Sequence, residues 1–238
     1  LIIAFCTAGI VSGGVTPLAG KIAVILDIVD RPSVRKVNDR EGIPLLGGLA
    51  VVMGCGLGLV AFYLASDQPQ SAKLQAHLAS FMAGGMLLVL VGVWDDRFDL
   101  GAWQKIPFQV LASVIAINGG FVIDYFTNPL TLVTHLLPEW LSWLITLGWI
   151  VVVTNAMNLI DGLDGLTSGL GVIIAGTLGI ICFQADQAAG LLIALVMLGA
   201  LLGFLPYNFP PAKIFLGDAG ALFIGFGLAL ISIQGYRK

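Results

Sequence analysis

The sequence predicts an all-α fold, a polytopic membrane helix bundle of about eight transmembrane helices. Three observations carry this. The chain is 58% hydrophobic and 11% charged, with mean hydropathy +0.99, against about 45–50% and about 25% in a soluble domain. Its apolar residues fall into long runs of the length that crosses a bilayer, roughly 20 residues. The runs are continuous rather than alternating, which favours helices and excludes a membrane barrel, since backbone groups in lipid must be satisfied internally.

The runs are approximately Ile2–Leu26, Pro44–Ala65, Leu78–Trp94, Ile106–Ile123, Trp140–Asn158, Leu166–Phe183, Gly190–Leu205 and Ala219–Ile233. The first lacks a basic start and a small-residue cleavage site, so it reads as a retained span rather than a signal peptide. Pro17 and Lys21 predict a kink or early exit near its end. The 31 glycines suit closely packed membrane helices. Cys6, Cys55 and Cys182 lie inside apolar runs without metal-ligand spacing and read as small core residues. The chain starts at Leu1 and ends at GYRK directly after an apolar run. The expectation is one integral-membrane domain over 1–238, truncated at both ends.

Parity sorts the connectors. Those after runs one, three, five and seven share one side and, with Lys21, hold eight of the eleven basic residues: Lys21, Arg31, Arg35, Lys36, Arg40, Arg97, Lys105 and Lys213. Excess Lys and Arg mark the cytoplasmic side, which puts the N-terminus outside. Ten of the fourteen acids lie there too: Asp27, Asp30, Asp39, Glu41, Asp95, Asp96, Asp99, Asp161, Asp164 and Asp218. Acids contribute little to orientation, so their bias points to chemistry. His77 and His135 fall on the other side and read as interfacial. A net charge of −3 gives no reason to expect nucleic acid.

Each acid-bearing connector has a bland and a functional reading. DIVDRPSVRKVNDREGIPLLGG is either a topology anchor or a basic rim, with Arg35 and Lys36, that attracts a polyanion. In GVWDDRFDLGAWQK, the neighbouring Asp95 and Asp96 repel at the mouth of a span and call for a cation. In NAMNLIDGLDGL, Asn158, Asp161 and Asp164 share a helix face if the helix persists; the two DG steps alternatively end it in a turn. Either way their oxygens converge in a set suited to Mg²⁺. In LPYNFPPAKIFLGDAG, Asp218 stands where the eighth span begins, as an N-cap or as part of the same acidic site. Bundled spans bring the four connectors around one cleft.

These four segments in this order resemble the polyprenyl-phosphate N-acetylhexosamine-1-phosphate transferases, with DGLDGL and FLGDAG together the most specific part. DDRFDL looks more like the branch using UDP-N-acetylglucosamine than the branch that transfers phospho-MurNAc-pentapeptide. The resemblance implies that undecaprenyl phosphate attacks the β-phosphorus of a UDP-N-acetylhexosamine at the cytoplasmic face of the bacterial inner membrane, releasing UMP. It implies Mg²⁺, with Mn²⁺ as the alternative ion, held by Asp218 with Asp96. It implies Asp95 as the group that deprotonates or positions the lipid phosphate, with Asp96 beside it. Asn158, Asp161 and Asp164 would hold the nucleotide and pyrophosphate, Asn208 and Phe215 the uracil, and Lys105 fills a basic position after the acid pair. The expected partners are the donor, the lipid, the membrane and a second copy of the chain.

Asn38 and Ala221 depart from the His and Ser common at the matching family positions. The family's later His-rich cytoplasmic loop lies beyond residue 238, so these residues alone are expected to be inactive or strongly impaired. A transporter, the rival from another class, would place charge near the midplane and repeat itself; here the acids gather at one interface. A CDP-alcohol phosphotransferase would need wider acid spacing and an Ala-Arg pair after its first DG, which DGLDGLTSG lacks.

Overall fold

The computed structural model describes residues 1–30, 42–67, 69–128, 130–131 and 133–236. Among them run eight helices: α1 (Ile2–Ile25), α2 (Gly47–Leu64), α3 (Ala72–Phe98), α4 (Ala102–Asn118), α5 (Glu139–Ile160), α6 (Leu166–Gln184), α7 (Ala188–Asn208) and α8 (Gly217–Tyr236). All but α4, which has 17 residues, are long and apolar enough to span a membrane. The expected polytopic bundle is therefore what the chain forms.

Several elements differ from the expectation. α1 continues through Pro17 to Ile25. α3 outruns its apolar stretch at both ends, and α4 starts and stops earlier than its own. Consequently Asp95, Asp96 and Lys105 sit on helix ends rather than in a loop. Helices extend past an apolar run wherever protein partners satisfy their polar side chains, and hydropathy does not register that. The connector between α4 and α5 holds an unforeseen antiparallel hairpin, β1 (Tyr125–Thr127) on β2 (Thr134–Leu136), with Phe126 opposite His135. Its β-branched and aromatic residues on either side of a turn were the available signal. His77 is buried, its ring edge-on to Phe121 at 4.8 Å. Cys55 and Cys182 are buried as expected, while Cys6 is exposed on α1.

α8 is the centre of the bundle. It is apolar all round and buried almost throughout, the pattern of a helix with no lipid face. α3, α5, α6, α7 and α2 pack around it, and α1 closes against α2 and α7. Small residues set the distances. A Cβ at Gly225 would lie 2.7 Å from the Thr154 Cα, and one at Gly9 would lie 3.1 Å from the Gly199 carbonyl. α5 buries a single stripe, Ser142, Thr146, Ile150, Thr154 and Met157, which lays its site-bearing end alongside α8.

The odd-numbered connectors do share one end of the bundle. Residues 28–30 and 42–45 form a stem, with Asp30 N–H donating to the Ile43 carbonyl at 2.8 Å and Leu45 N–H to Ile28 at 3.1 Å. The stem continues into the fourth connector: Phe215 N–H donates to Pro44 at 2.8 Å, Gly47 N–H to Phe215 at 3.0 Å and Gly48 N–H to Leu216 at 2.8 Å. Arg35, Lys36 and Asn38 lie outside the described residues.

Candidate functional site

The site is built on the start of α8. Gly217 turns the chain into the helix with φ +72°, a left-handed conformation that suits glycine. The first amides of a helix have no intrahelical acceptor. Here Asp96 supplies them: Asp218 N–H donates to one carboxylate oxygen at 2.8 Å and Ala219 N–H to the other at 3.4 Å. An acid on α3 thus caps α8 and holds Asp218 in place.

Close approach of the two helices makes this geometry reachable. Gly92, one turn before Asp96, lies directly on the backbone of Asp218 and Ala219, with no room for a Cβ. Hydropathy hides this residue inside VLVGVWDD; its spacing of four from Asp96, on the same face, was the only clue.

With its amide capped, Asp218 directs its carboxylate sideways. Asn158 Nδ2 donates to Oδ1 and Lys105 Nζ to Oδ2, both at 2.9 Å. Lys105 Nζ also bonds Asp95 Oδ2, and Asp95 Oδ1 accepts from Leu100 N–H at 2.6 Å. Four helices, α3, α4, α5 and α8, thereby meet on one chain of contacts. Asp95 is buried, and the Lys105 side chain is 13% exposed. Buried charge survives when partnered, yet the count does not balance. Asp95 and Asp218 share one ammonium, and Asp96 on the first amides of α8 adds a third carboxylate, a formal excess of two negative charges.

That excess matches a divalent cation. Lys105 shows that Asp95 and Asp218 are close enough to share one positive group, and carboxylate oxygens are the donors Mg²⁺ prefers. Asp95 and Asp218 fit such an ion. Asp96, expected as a ligand, has both oxygens on backbone amides. Among the described residues no three His, Cys, Asp or Glu side chains form a ready-made cage, so an ion here would complete its shell with water or other oxygen ligands.

The DG steps end a helix: α5 stops at Ile160, residues 161–165 turn, and Gly165 opens α6 at φ +72°. Asp161 sits at that stop. Burial pushes its carboxyl up to about 7, the Asp218 charge adding to the rise and the Thr167 hydroxyl opposing it. Asp164 Oδ2 accepts from Ala212 N–H at 2.9 Å, tying the third connector to the fourth. Asn208 is buried; it accepts from Ser168 Oγ at 2.6 Å and donates to the Ile214 carbonyl at 3.0 Å, so it shapes the prolyl connector from within. Phe215, half-buried, is held by its backbone against Pro44 and Gly47. Sequence reasoning singled out Asp161, Asp164, Asn208 and Phe215 but missed Gly92 and Ser168.

Comparison with known proteins identifies the family. The profile of glycosyl transferase family 4 matches residues 78–236. The chain is 34% identical over 238 residues to the "Probable undecaprenyl-phosphate N-acetylglucosaminyl 1-phosphate transferase" of Bacillus subtilis (strain 168), covering 100% of this chain and 64% of the relative. It is 35% identical over 238 residues to the decaprenyl-phosphate N-acetylglucosaminephosphotransferase of Mycobacterium leprae, covering 95% and 59%. It is 41% identical over 211 residues to the phospho-N-acetylmuramoyl-pentapeptide-transferase of Limosilactobacillus reuteri (strain DSM 20016), covering 82% and 61%. The chain therefore spans less than two thirds of the length of each. On the extent of these matches, the chain belongs to glycosyl transferase family 4.

Proposed function

We propose that the full-length protein transfers a sugar 1-phosphate, GlcNAc-1-phosphate before others, from a UDP-N-acetylhexosamine to undecaprenyl phosphate, releasing UMP at the cytoplasmic face of the bacterial inner membrane. The observation that carries this reading is Asp218 held between Asn158 on α5 and Lys105 on α4, with Asp95 on the same ammonium. Such a junction can hold a pyrophosphate at the membrane boundary, where a water-soluble donor meets a lipid acceptor. The Lys and Arg bias supports the cytoplasmic orientation and the external N-terminus. The reading includes a homodimer, to be checked by light scattering of the purified protein.

In this mechanism an oxygen of the lipid phosphate forms a bond to the β-phosphorus while the bond from that phosphorus to the UMP oxygen breaks. UMP leaves with the electron pair. Phosphoryl transfer depends mainly on positioning and charge neutralisation. Asp95, fixed by Leu100 N–H and Lys105, faces the incoming phosphate and accepts its remaining proton. Asp218 would hold the Mg²⁺, which would offset the pyrophosphate's charge and that of the leaving UMP. Asp96 serves by keeping α8 and Asp218 in register. Asp161 and Asp164 line the nucleotide side, and Asn208 and Phe215 shape the wall for the uracil. Arg35 and Lys36 add a basic rim.

Full-length protein supplied with undecaprenyl phosphate should release UMP from UDP-GlcNAc with Mg²⁺ and none with EDTA. A transporter would release none in either case. Phospho-MurNAc-pentapeptide transfer is the second reading, favoured by the Limosilactobacillus relative at 41% identity; UMP release from UDP-MurNAc-pentapeptide and not from UDP-GlcNAc would select it.

A further inference from the structure

One turn deeper than the acid site, α4 and α5 are joined a second time. Gln109 Nε2 donates to Asn155 Oδ1 at 3.2 Å, and Asn155 Nδ2 donates back to Gln109 Oε1. Asn155 also donates to the Val151 carbonyl, and the Gln109 carbonyl accepts from Ser113 Oγ, each at 2.8 Å. Gln109 is 2% exposed. Two amides inside a membrane bundle are costly unless they satisfy each other. An apolar pair would hold two helices together equally well. A reciprocal amide pair adds direction, because its two hydrogen bonds form in only one axial and rotational register.

Gln109 lies four residues after Lys105, and Asn155 three before Asn158, so each shares a helix face with a site residue. Lys105 and Asn158 are the two groups that grip the two oxygens of Asp218. We propose that Gln109 is a positioning residue: the Gln109–Asn155 pair sets the register of α4 against α5 and so places Lys105 and Asn158 on either side of Asp218. The kinetic part of this inference rests on the function proposed above.

The test has two arms in the full-length protein. In the first, Gln109→Leu lowers kcat for UMP release by about tenfold to a hundredfold, the scale of an ångström-sized misplacement, with the donor KM held within about twofold. The exchange variant Gln109→Asn/Asn155→Gln, which keeps an amide pair, recovers most of the turnover. The variant Gln109→Leu/Asn155→Leu regains thermal stability but not turnover. The second arm does not need catalysis. A Lys105→Cys/Asn158→Cys pair, in a Cys6→Ser/Cys55→Ala/Cys182→Ala background, is bridged with a short homobifunctional thiol reagent, and adding Gln109→Leu lowers the cross-link yield severalfold.

Parent-like turnover in the doubly apolar variant would overturn the inference. So would a turnover loss in Gln109→Leu that only tracks lost folded protein, or a cross-link yield that Gln109→Leu leaves unchanged. A parent protein that releases no UMP would count against the proposed function, and the cross-link yield would still decide the role of Gln109.

Discussion

The backbone amide of Asp218 donates to the carboxylate of Asp96 at 2.8 Å, so the second acid of the DD pair caps the helix that carries the fourth connector's acid. Neighbours in sequence, Asp95 and Asp96 thus do different work. One faces Lys105, and the other fixes the start of α8.

This division separates the two acids experimentally. Asp95→Asn and Asp218→Asn in the full-length protein should lower UMP release by about a thousandfold or more, as expected when a group that acts only in the transition state is lost. Both should still insert in the membrane. Asp96→Asn keeps a cap acceptor, whereas Asp96→Ala removes it and should lower thermal stability further, by about 1–2 kcal/mol on the scale of N-cap losses. Equal melting temperatures for the Ala and Asn variants would refute the capping role.

Gly92→Ala tests the contact that brings α3 onto α8. A methyl group there meets the backbone of Ala219 and Asp218, which no side-chain rotation relieves. The expected cost is about 1–3 kcal/mol of overpacking, with turnover falling because Asp96 is pushed away from the start of α8. Gly56→Ala is the control, since its nearest neighbour would be the flexible Met82 Cε at 3.4 Å. A melting scan with a UMP assay on both variants settles the matter.

Asp161 predicts a pH dependence of stability. Its carboxyl is raised from 3.8 to about 7 in the folded chain. Between those values the folded state keeps a proton that the unfolded state has released. The stability it contributes is therefore full below about pH 4 and lost as pH rises through about 7. Asp161→Asn removes the dependence. In EDTA it should melt with the parent near pH 4 and above it at pH 8, by an amount of order 1 kcal/mol after solvent screening. A variant less stable than the parent at pH 8 would reverse the sign and reject the assignment.

Membrane orientation can be read with two cysteines. In a Cys6→Ser background, Asp67→Cys should react with an impermeant thiol reagent added to intact cells, and Leu163→Cys only after the cells are opened. Both positions are exposed. The opposite pattern would invert the proposed topology.

The order of residues alone made the helical membrane fold legible, because a bilayer imposes length and hydropathy on any segment that crosses it. It also showed which face gathers the acids, since parity converts span count into sides. It drew attention to Asp95, Asp161, Asp164, Asn158 and Asp218 through their presence beside lipid. Packing decided what each of them does. Asp96 became a cap, Asn208 an internal brace and His77 a core residue only when α3, α7 and the segment after α4 found their neighbours. The hairpin of β1 and β2 escaped a reading based on apolar runs because its strands are too short to form one, and the polar ends of α3 and α4 escaped it because Asp96 and Lys105 find their partner, Asp218, far along the chain. Gly92, Ser168 and the Gln109–Asn155 pair are silent in one dimension for the same reason: their meaning is a distance to another helix, and that distance exists only once the bundle has closed.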